Sequence, residues 1–237
     1  MDKTVKNEIM LITGTRKGIG KYLAEYYLDK GVTVIGCSRG ESSIDNDKYR
    51  HFILDVSDEK AVISMVRDVK KEFGRIDVLL NNAGAASMNH ILLTPYKTIK
   101  ETTETNYFGT FLFLREVSKV MLKKKYGRIV NFASIATPLK WEGEAAYAAS
   151  KAAVENLTKI AAKEVAEYGI TVNALGSTPV WTDMINRVPK EKLDGILSQQ
   201  AIKRLGEMKD VSHLCDFLID EESNFITGQV IFLGGVS

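Results

Sequence analysis

Ile9 to Gly20 reads I-M-L-I-T-G-T-R-K-G-I-G. Its first four residues are a short continuous apolar run, as a parallel strand covered on both faces requires. The run passes directly into the glycine-rich Thr13 to Gly20. Beyond it Ile19, Tyr22, Leu23, Tyr26 and Tyr27 recur at helical spacing until Gly31 stops the pattern. Val32 to Gly36 is strand-like again. Strand, glycine turn, helix and strand make a βαβ unit, and that context raises the glycines above chance. Gly14 permits a tight turn, while Gly18 and Gly20 let backbone approach a pyrophosphate at a helix N-terminus. The alternative, a plain βα loop, is disfavoured by the two flanking strands.

The same alternation continues outward. Phe52 to Leu54 is a third strand ending in Asp55-Val56, at the carboxyl end where open α/β sheets bind ligands. Ser57 to Lys60 caps a helix that runs through Val62, Met65, Val66 and Val69 to Phe73-Gly74. Ile76 to Leu80 is a fourth strand, followed by Asn81-Asn82-Ala83-Gly84, small enough for a ring to lie against the backbone. Thr98 to Lys125 is expected to be largely helical, with Asn106 inside it. An asparagine buried in a helix is disfavoured unless its amide is used, either at a distortion or to hold water for a proton relay. Arg128 to Ala133 and Ile170 to Leu175 are further strands with a helix between them, and Gly228 to Leu233 is the last. Residues 176–206 have weak periodicity and contain Pro179, Trp181 and Pro189; a long insert after a strand's carboxyl end is a candidate substrate lid. The expected fold is a doubly wound α/β Rossmann domain over residues 1–237. It would have about seven parallel strands, with helices on both faces.

Ser134 to Lys151 carries the chemistry. Tyr147 and Lys151 sit four apart in an Ala-rich helical stretch, so both side chains share one face. An ammonium roughly 5 Å from a phenol, at an effective dielectric of about 20, favours the phenolate by roughly 3 kcal/mol. That is enough to draw a tyrosine from about 10 toward neutral pH. A phenol so tuned gives a proton to a developing alkoxide or takes one from an alcohol. Ser134, at the end of a strand, could hold the substrate oxygen against it. Helical Tyr/Lys pairs are common on ordinary surfaces, so the pair gains its meaning from the chain around it.

Composition narrows the partners. The 237 residues are 45% hydrophobic, with Lys+Arg 32 against Asp+Glu 30 and a net charge of +2. That balance gives no ground for nucleic acid or a membrane surface as partner, and no segment reaches the ~20 apolar residues of a membrane span. Cys37 and Cys215 have no metal-ligand spacing and read as reduced thiols; the expected location is cytoplasmic. At the end of the second strand, Gly36-Cys37-Ser38-Arg39 lacks the acid that would accept from an adenosine ribose. Arg39 with Arg16 or Lys17 could instead clamp a 2′-phosphate, which favours NADP(H) over NAD.

In order, T-G-x-x-x-G-I-G, D-V, N-N-A-G, Asn106, Ser134 and Y-x-x-x-K together resemble the short-chain dehydrogenase/reductase family in its compact single-domain form, over about Ile9 to Gly235. The overall pattern is similar to 3-oxoacyl-(acyl-carrier-protein) reductases and their sugar- or polyol-reducing relatives. The resemblance implies Tyr147 as general acid/base, Lys151 as its partner and ribose ligand, Ser134 as carbonyl orienter and Asn106 as holder of a relay water. It implies that Gly14, Gly18, Ile19 and Gly20 line the pyrophosphate, with Asp55 and Val56 at the adenine; Ser38 and Arg39, at the end of the second strand, are expected to bind the cofactor as well. Asn82, Ala83 and Gly84 would border the nicotinamide, and Val180 and Thr182 would contact its carboxamide and the phosphate. It implies a homo-oligomer, a tetramer before a dimer, built through Ile226 to Gly235. One departure stands out: where the family has Pro-Gly after V-N-A, this chain has Ser177-Thr178, which puts the turn's path in question. The expected function is transfer of a hydride between NADP(H) and a carbonyl or secondary alcohol, with a 3-oxoacyl thioester, or a sugar, polyol or small ketone, as substrate. A cofactor-binding scaffold without turnover is the rival.

Overall fold

The computed structural model describes residues 8–181 and 190–236. Seven parallel strands run in the order β3-β2-β1-β4-β5-β6-β7. They are β1 (Ile9–Thr13), β2 (Thr33–Ser38), β3 (Tyr49–Ile53), β4 (Val78–Asn81), β5 (Gly127–Ser134), β6 (Ile170–Ser177) and β7 (Val230–Phe232). Period-two alternation sorts each strand between two cores. In β1, Ile9 and Leu11 enter one core, while Met10 and Ile12 enter the other. The first core is completed by α2 (Glu59–Phe73), α4 (Gly109–Met121) and α6 (Ala145–Val165), through Val62, Phe113 and Leu157. The second is completed by α1 (Gly18–Asp29) and α8 (Met208–Ile219), through Leu23, Val211 and Cys215. Helices therefore cover both faces, as the expected doubly wound Rossmann sheet demands.

The chain reverses direction across the sheet between β1 and β4, which pair in register from Met10↔Val78 to Ile12↔Leu80. The carboxyl ends of these two strands mark the switch point of the strand order, and the crevice beside it is the usual ligand position in such sheets. The remaining elements are α3 (Tyr96–Thr103), a four-residue α5 (Ala136–Leu139) and α7 (Lys190–Gln199). Among the described residues no helix is long and apolar enough to cross a membrane. Both cysteines are buried and free.

Three expectations about elements change. The single helix over Thr98 to Lys125 is α3 and α4 joined by a π-helical turn, Glu104–Phe108, with Asn106 inside it. The third strand starts earlier, at Tyr49, because Tyr49 and His51 pair with Val34 and Gly36. The segment 176–206 is less loop-like than its periodicity implied: Gly176 and Ser177 end β6, and α7 lies within it. Neither Ser177 nor Thr178 has a positive φ. The chain turns there without glycine because the Thr178 hydroxyl donates to the side-chain carbonyl of the fully buried Gln200.

Candidate active site

The glycine turn is tied down before any ligand is considered. The N–H groups of Gly14 and Thr15 donate to the Cys37 carbonyl at 2.8 and 3.2 Å. Gly14 has φ +79°, and a Cβ there would stand 3.0 Å from the Cα of Ala83. On Gly20 a Cβ would meet the Gly14 carbonyl oxygen and the Asn82 amide, each at less than contact distance. The two loops of the crevice thus interlock. Asn82 Nδ2 donates to the Thr13 carbonyl at 2.8 Å and Ala83 N–H to the Thr13 hydroxyl at 2.9 Å. Thr13, which the sequence did not single out, is the hinge pin between them. Helix α1 begins at Gly18 with no side-chain cap. The amides of Gly18, Ile19 and Gly20 therefore face the crevice as a ready anion site.

Arg16 packs over Gly40, where a Cβ would lie 2.8 Å from its guanidinium. Arg39 is exposed one residue away; burial pushes the Asp55 carboxyl up, but the hydroxyl and N–H of Ser57, with a smaller contribution from the Arg39 charge, hold it below its ordinary value. Lys17 is exposed beside them. Cations therefore gather around the end of β2, with no carboxylate on Ser38, Arg39 or Gly40. Beneath them runs a network the sequence did not reveal. His51 Nε2 lies 3.0 Å from the Gly40 carbonyl and 3.1 Å from Ser38 Oγ, which itself donates to that carbonyl at 2.7 Å. A carbonyl only accepts, so Nε2 carries the proton there. Nδ1 meets Tyr49 Oη at 2.8 Å, and Tyr49 Oη meets Thr15 Oγ1 at 2.8 Å. Glycine at position 36 makes room, since a Cβ would lie 2.2 Å from that phenolic oxygen.

At the other end of the crevice, Ser134 is the last residue of β5, and its Oγ accepts from Ala136 N at 3.2 Å. Tyr147 and Lys151 project from the first turns of α6, and Lys151 Nζ lies 5.9 Å from the Tyr147 ring centre. A Cβ on Gly84 would stand 3.5 Å from Lys151 Nζ and 3.3 Å from Asn106 Oδ1. Asn106 is fully buried; its Oδ1 accepts from Ala85 N at 2.7 Å. Its Nδ2 donates to Ala85 O and to Ser150 Oγ, both at 2.9 Å. Of the two uses expected for this amide, anchoring a helical distortion is the one on display; both its N–H groups are committed to protein atoms.

The electrostatics reverse one expectation. The phenol of Tyr147 is raised, not lowered: burial pushes it up, the Ser134 hydroxyl pulls it back, and the Glu144 carboxylate pushes it further up. Lys151 is not among the groups that shift the phenol; its Nζ donates to the Phe132 carbonyl at 2.6 Å, and burial lowers the lysine itself to about 8. The chain's own groups therefore keep the phenol protonated at neutral pH.

Other expected residues fall less directly. The side chains of Val56 and Val180 are buried in the two cores, so only their backbone can face the crevice. Asp55 Oδ1 is occupied by the N–H and hydroxyl of Ser57, at 2.9 and 2.7 Å. Thr182 lies outside the described residues. Of the two tryptophans, each readable from sequence as a pocket wall or as a packing residue, Trp181 is exposed and Trp141 packs with Ile135, Ile196 and Val236. Among the described residues no cluster of three or more His, Cys, Asp or Glu could hold a metal.

The chain is similar to known proteins over nearly its whole length. A family profile described as enoyl-(acyl carrier protein) reductase matches residues 14–236. The chain is 33% identical over 237 residues to the 3-oxoacyl-(acyl-carrier-protein) reductase FabG of Haemophilus influenzae, covering 98% of each chain. It is 34% identical over 240 residues to (2S)-((R)-hydroxy(phenyl)methyl)succinyl-CoA dehydrogenase subunit BbsD of Thauera aromatica, covering 98% of this chain and 96% of that one. The solved structure of ElxO with NADP bound is similar with a TM-score of 0.87 at 34% identity, over 97% of both chains.

Proposed function

The chain belongs to the short-chain dehydrogenase/reductase family and is an oxidoreductase, and from that premise we propose that it moves a hydride between NADP(H) and the carbon of a carbonyl compound or secondary alcohol. The observation that carries this reading is the convergence of Ser134, Tyr147 and Lys151 beside Gly84, at the carboxyl ends of β4 and β5. When bound, the nicotinamide supplies or takes the hydride. The uncapped amides of Gly18, Ile19 and Gly20 would hold the pyrophosphate. Arg39, Arg16 and Lys17, with Ser38, would hold the 2′-phosphate, and guanidinium suits phosphate geometry. Asp55 and the backbone of Val56 would meet the adenine. Asn82, Ala83 and Gly84, with the backbone of Val180 and with Thr182, would border the nicotinamide.

Lys151 has ammonium donors beyond the one given to Phe132, and these would reach the nicotinamide ribose. Asn106 keeps Ala85, and so the Gly84 turn, against that ammonium; a relay water beside it is part of the same proposal. Ser134 would orient the substrate oxygen toward Tyr147. A phenol held protonated by burial is suited to give its proton to a developing alkoxide, which favours reduction at neutral pH. The segment 176–206, with α7, would close over the substrate.

FabG and BbsD are named for acyl-carrier-protein and acyl-CoA compounds, so a 3-oxoacyl thioester is the first substrate to test, with a sugar, polyol or small ketone as the alternative. Exposed Phe108 and Phe111 on one side of the π-turn and α4, and Ile160 on α6, support a homo-oligomer, with a tetramer favoured and a cytoplasmic location expected. A scaffold that binds NADP without turnover is disfavoured, because it has no use for the phenol. The test is oxidation of NADPH, and of NADH in parallel, against acetoacetyl-CoA, ketoses and small ketones. We expect turnover with NADPH preferred; NADPH binding without turnover on any carbonyl would favour the scaffold.

A further inference from the structure

One ionisable group close to Tyr147 is mostly buried, with the opposing charge of Lys192 acting on it. Glu144 closes the turn into α6: its N–H donates to the Trp141 carbonyl at 3.2 Å, and its carbonyl accepts from Ala148 N–H at 2.7 Å. It lies three residues before Tyr147, hence on the same helical face. Only 6% of it is exposed, yet among the described residues its carboxylate accepts no hydrogen bond. Two groups feel its charge. It raises the Tyr147 phenol, and the Lys192 ammonium of α7 opposes the burial that otherwise pushes Glu144 up to about 7.

Two tethers bring other segments to this corner. The Gly143 carbonyl accepts from Asn89 N–H at 2.8 Å, which ties the Met88–Asn89 strap to the turn before α6. Lys192 Nζ donates to Met88 Sδ at 3.3 Å, so α7 crosses over the same strap. The Glu144 oxygens are not among the fully buried side-chain atoms that lack a partner, so they keep contact with solvent; a carboxyl stripped of water and left unpaired is unfavourable. A molecule that enters beside Tyr147 and covers this carboxyl must supply the replacement.

Three kinds of substrate group can be weighed. An alkyl chain would lay methylenes on the carboxyl and leave it unpaired. An ammonium would meet Lys192, a cation already in place. A hydroxyl fits either protonation state, donating to the carboxylate or accepting from the carboxylic acid. We propose that Glu144 is a substrate-contacting specificity residue that selects a hydroxylated carbonyl compound, a hydroxyketone or sugar, through the hydroxyl next to the reacting carbonyl. This rests on the reading of Tyr147 as the acid/base of a carbonyl oxidoreductase.

Hydroxyacetone and butanone are near-isosteres that differ by this hydroxyl. Wild-type protein with NADPH is expected to favour hydroxyacetone in kcat/KM by about tenfold or more, since a site built to pair a hydroxyl rejects the analogue lacking it. Glu144→Leu should erase that preference, largely by improving butanone, while Glu144→Gln, which still accepts and donates, should keep most of it. An unchanged ratio in Glu144→Leu overturns the proposal. A second readout is independent of turnover: calorimetric binding of both ketones to NADP-saturated Tyr147→Phe protein, with Glu144 present or replaced by Leu. A Glu144-dependent preference there, without turnover by wild type on any carbonyl, would sustain the Glu144 assignment and remove the oxidoreductase reading. Turnover of ketones with no such preference, or no detectable binding of either ketone, overturns the Glu144 assignment alone.

Discussion

Lys151 is where the chain's charge and its burial are most at odds. Burial brings its pKa down to about 8, while its Nζ is held by the Phe132 carbonyl. The ammonium is therefore present below pH 8 and is lost as the pH rises above it. If this cation grips the nicotinamide ribose, NADPH affinity should fall about tenfold between about pH 6.5 and about pH 9.5, the worth of a charged hydrogen bond. Lys151→Met should bind more weakly at low pH and show a flat profile, both read by NADPH fluorescence titration. A wild-type profile as flat as the variant's would remove Lys151 from the ribose. The spacing of Tyr147 and Lys151 was legible because a helix places i and i+4 on one face. The direction of the phenol's shift was not. It depends on burial, on the Ser134 hydroxyl and on Glu144, none of which the Y-x-x-x-K motif contains. Thr13, Tyr49, His51 and Gln200 were missed for a related reason. Each has a partner from elsewhere in the chain, up to 70 positions away in sequence, and none stands out in its own stretch until the sheet forms.

The strands and glycine turn could be read from apolar runs and punctuation, since buried parallel strands advertise themselves as continuous Val, Ile and Leu. The π-turn could not, because π and α turns draw on the same residues. Only Asn106, an awkward residue for a helix interior, hinted at it. The side chain stitches the turn to Ala85 and Ser150 through three hydrogen bonds. Asn106→Ala should therefore cost about 3 kcal/mol of stability in urea unfolding, leaving the Ala85 N–H and carbonyl without their buried partners. It should also loosen the Gly84 turn and raise KM for the cofactor. A loss below about 0.5 kcal/mol would mean that the turn is held by packing instead. Helix α8 carries a capping box between Glu207 and Asp210, which the usual signature of serine or threonine followed by glutamate or glutamine does not reveal. The Pro-Gly departure was visible, yet its resolution was not, because Gln200 lies 22 residues beyond Thr178.

Across the whole molecule, Glu8 is a second carboxyl that folding places unfavourably. Burial pushes it up to about 7, the Tyr126 hydroxyl lowers it, Asp77 raises it, and Arg75 and Arg128 lower it. With a folded pKa above the unfolded value of 4.5, its contribution to stability is full below 4.5 and is lost as the pH rises through about 7. Glu144 has the same sign. Glu8→Gln, which can still accept from Tyr126, should gain about 1–3 kcal/mol over wild type at about pH 8 and nothing at about pH 4. Equal gains at both pH values would contradict the assignment. The central claim, that Tyr147 is the proton donor at the face of a nicotinamide, is tested most directly by Tyr147→Phe assayed for NADPH oxidation and NADPH binding on one preparation. A turnover loss of at least about a hundredfold with binding unchanged is the predicted result; full turnover by the variant would contradict it.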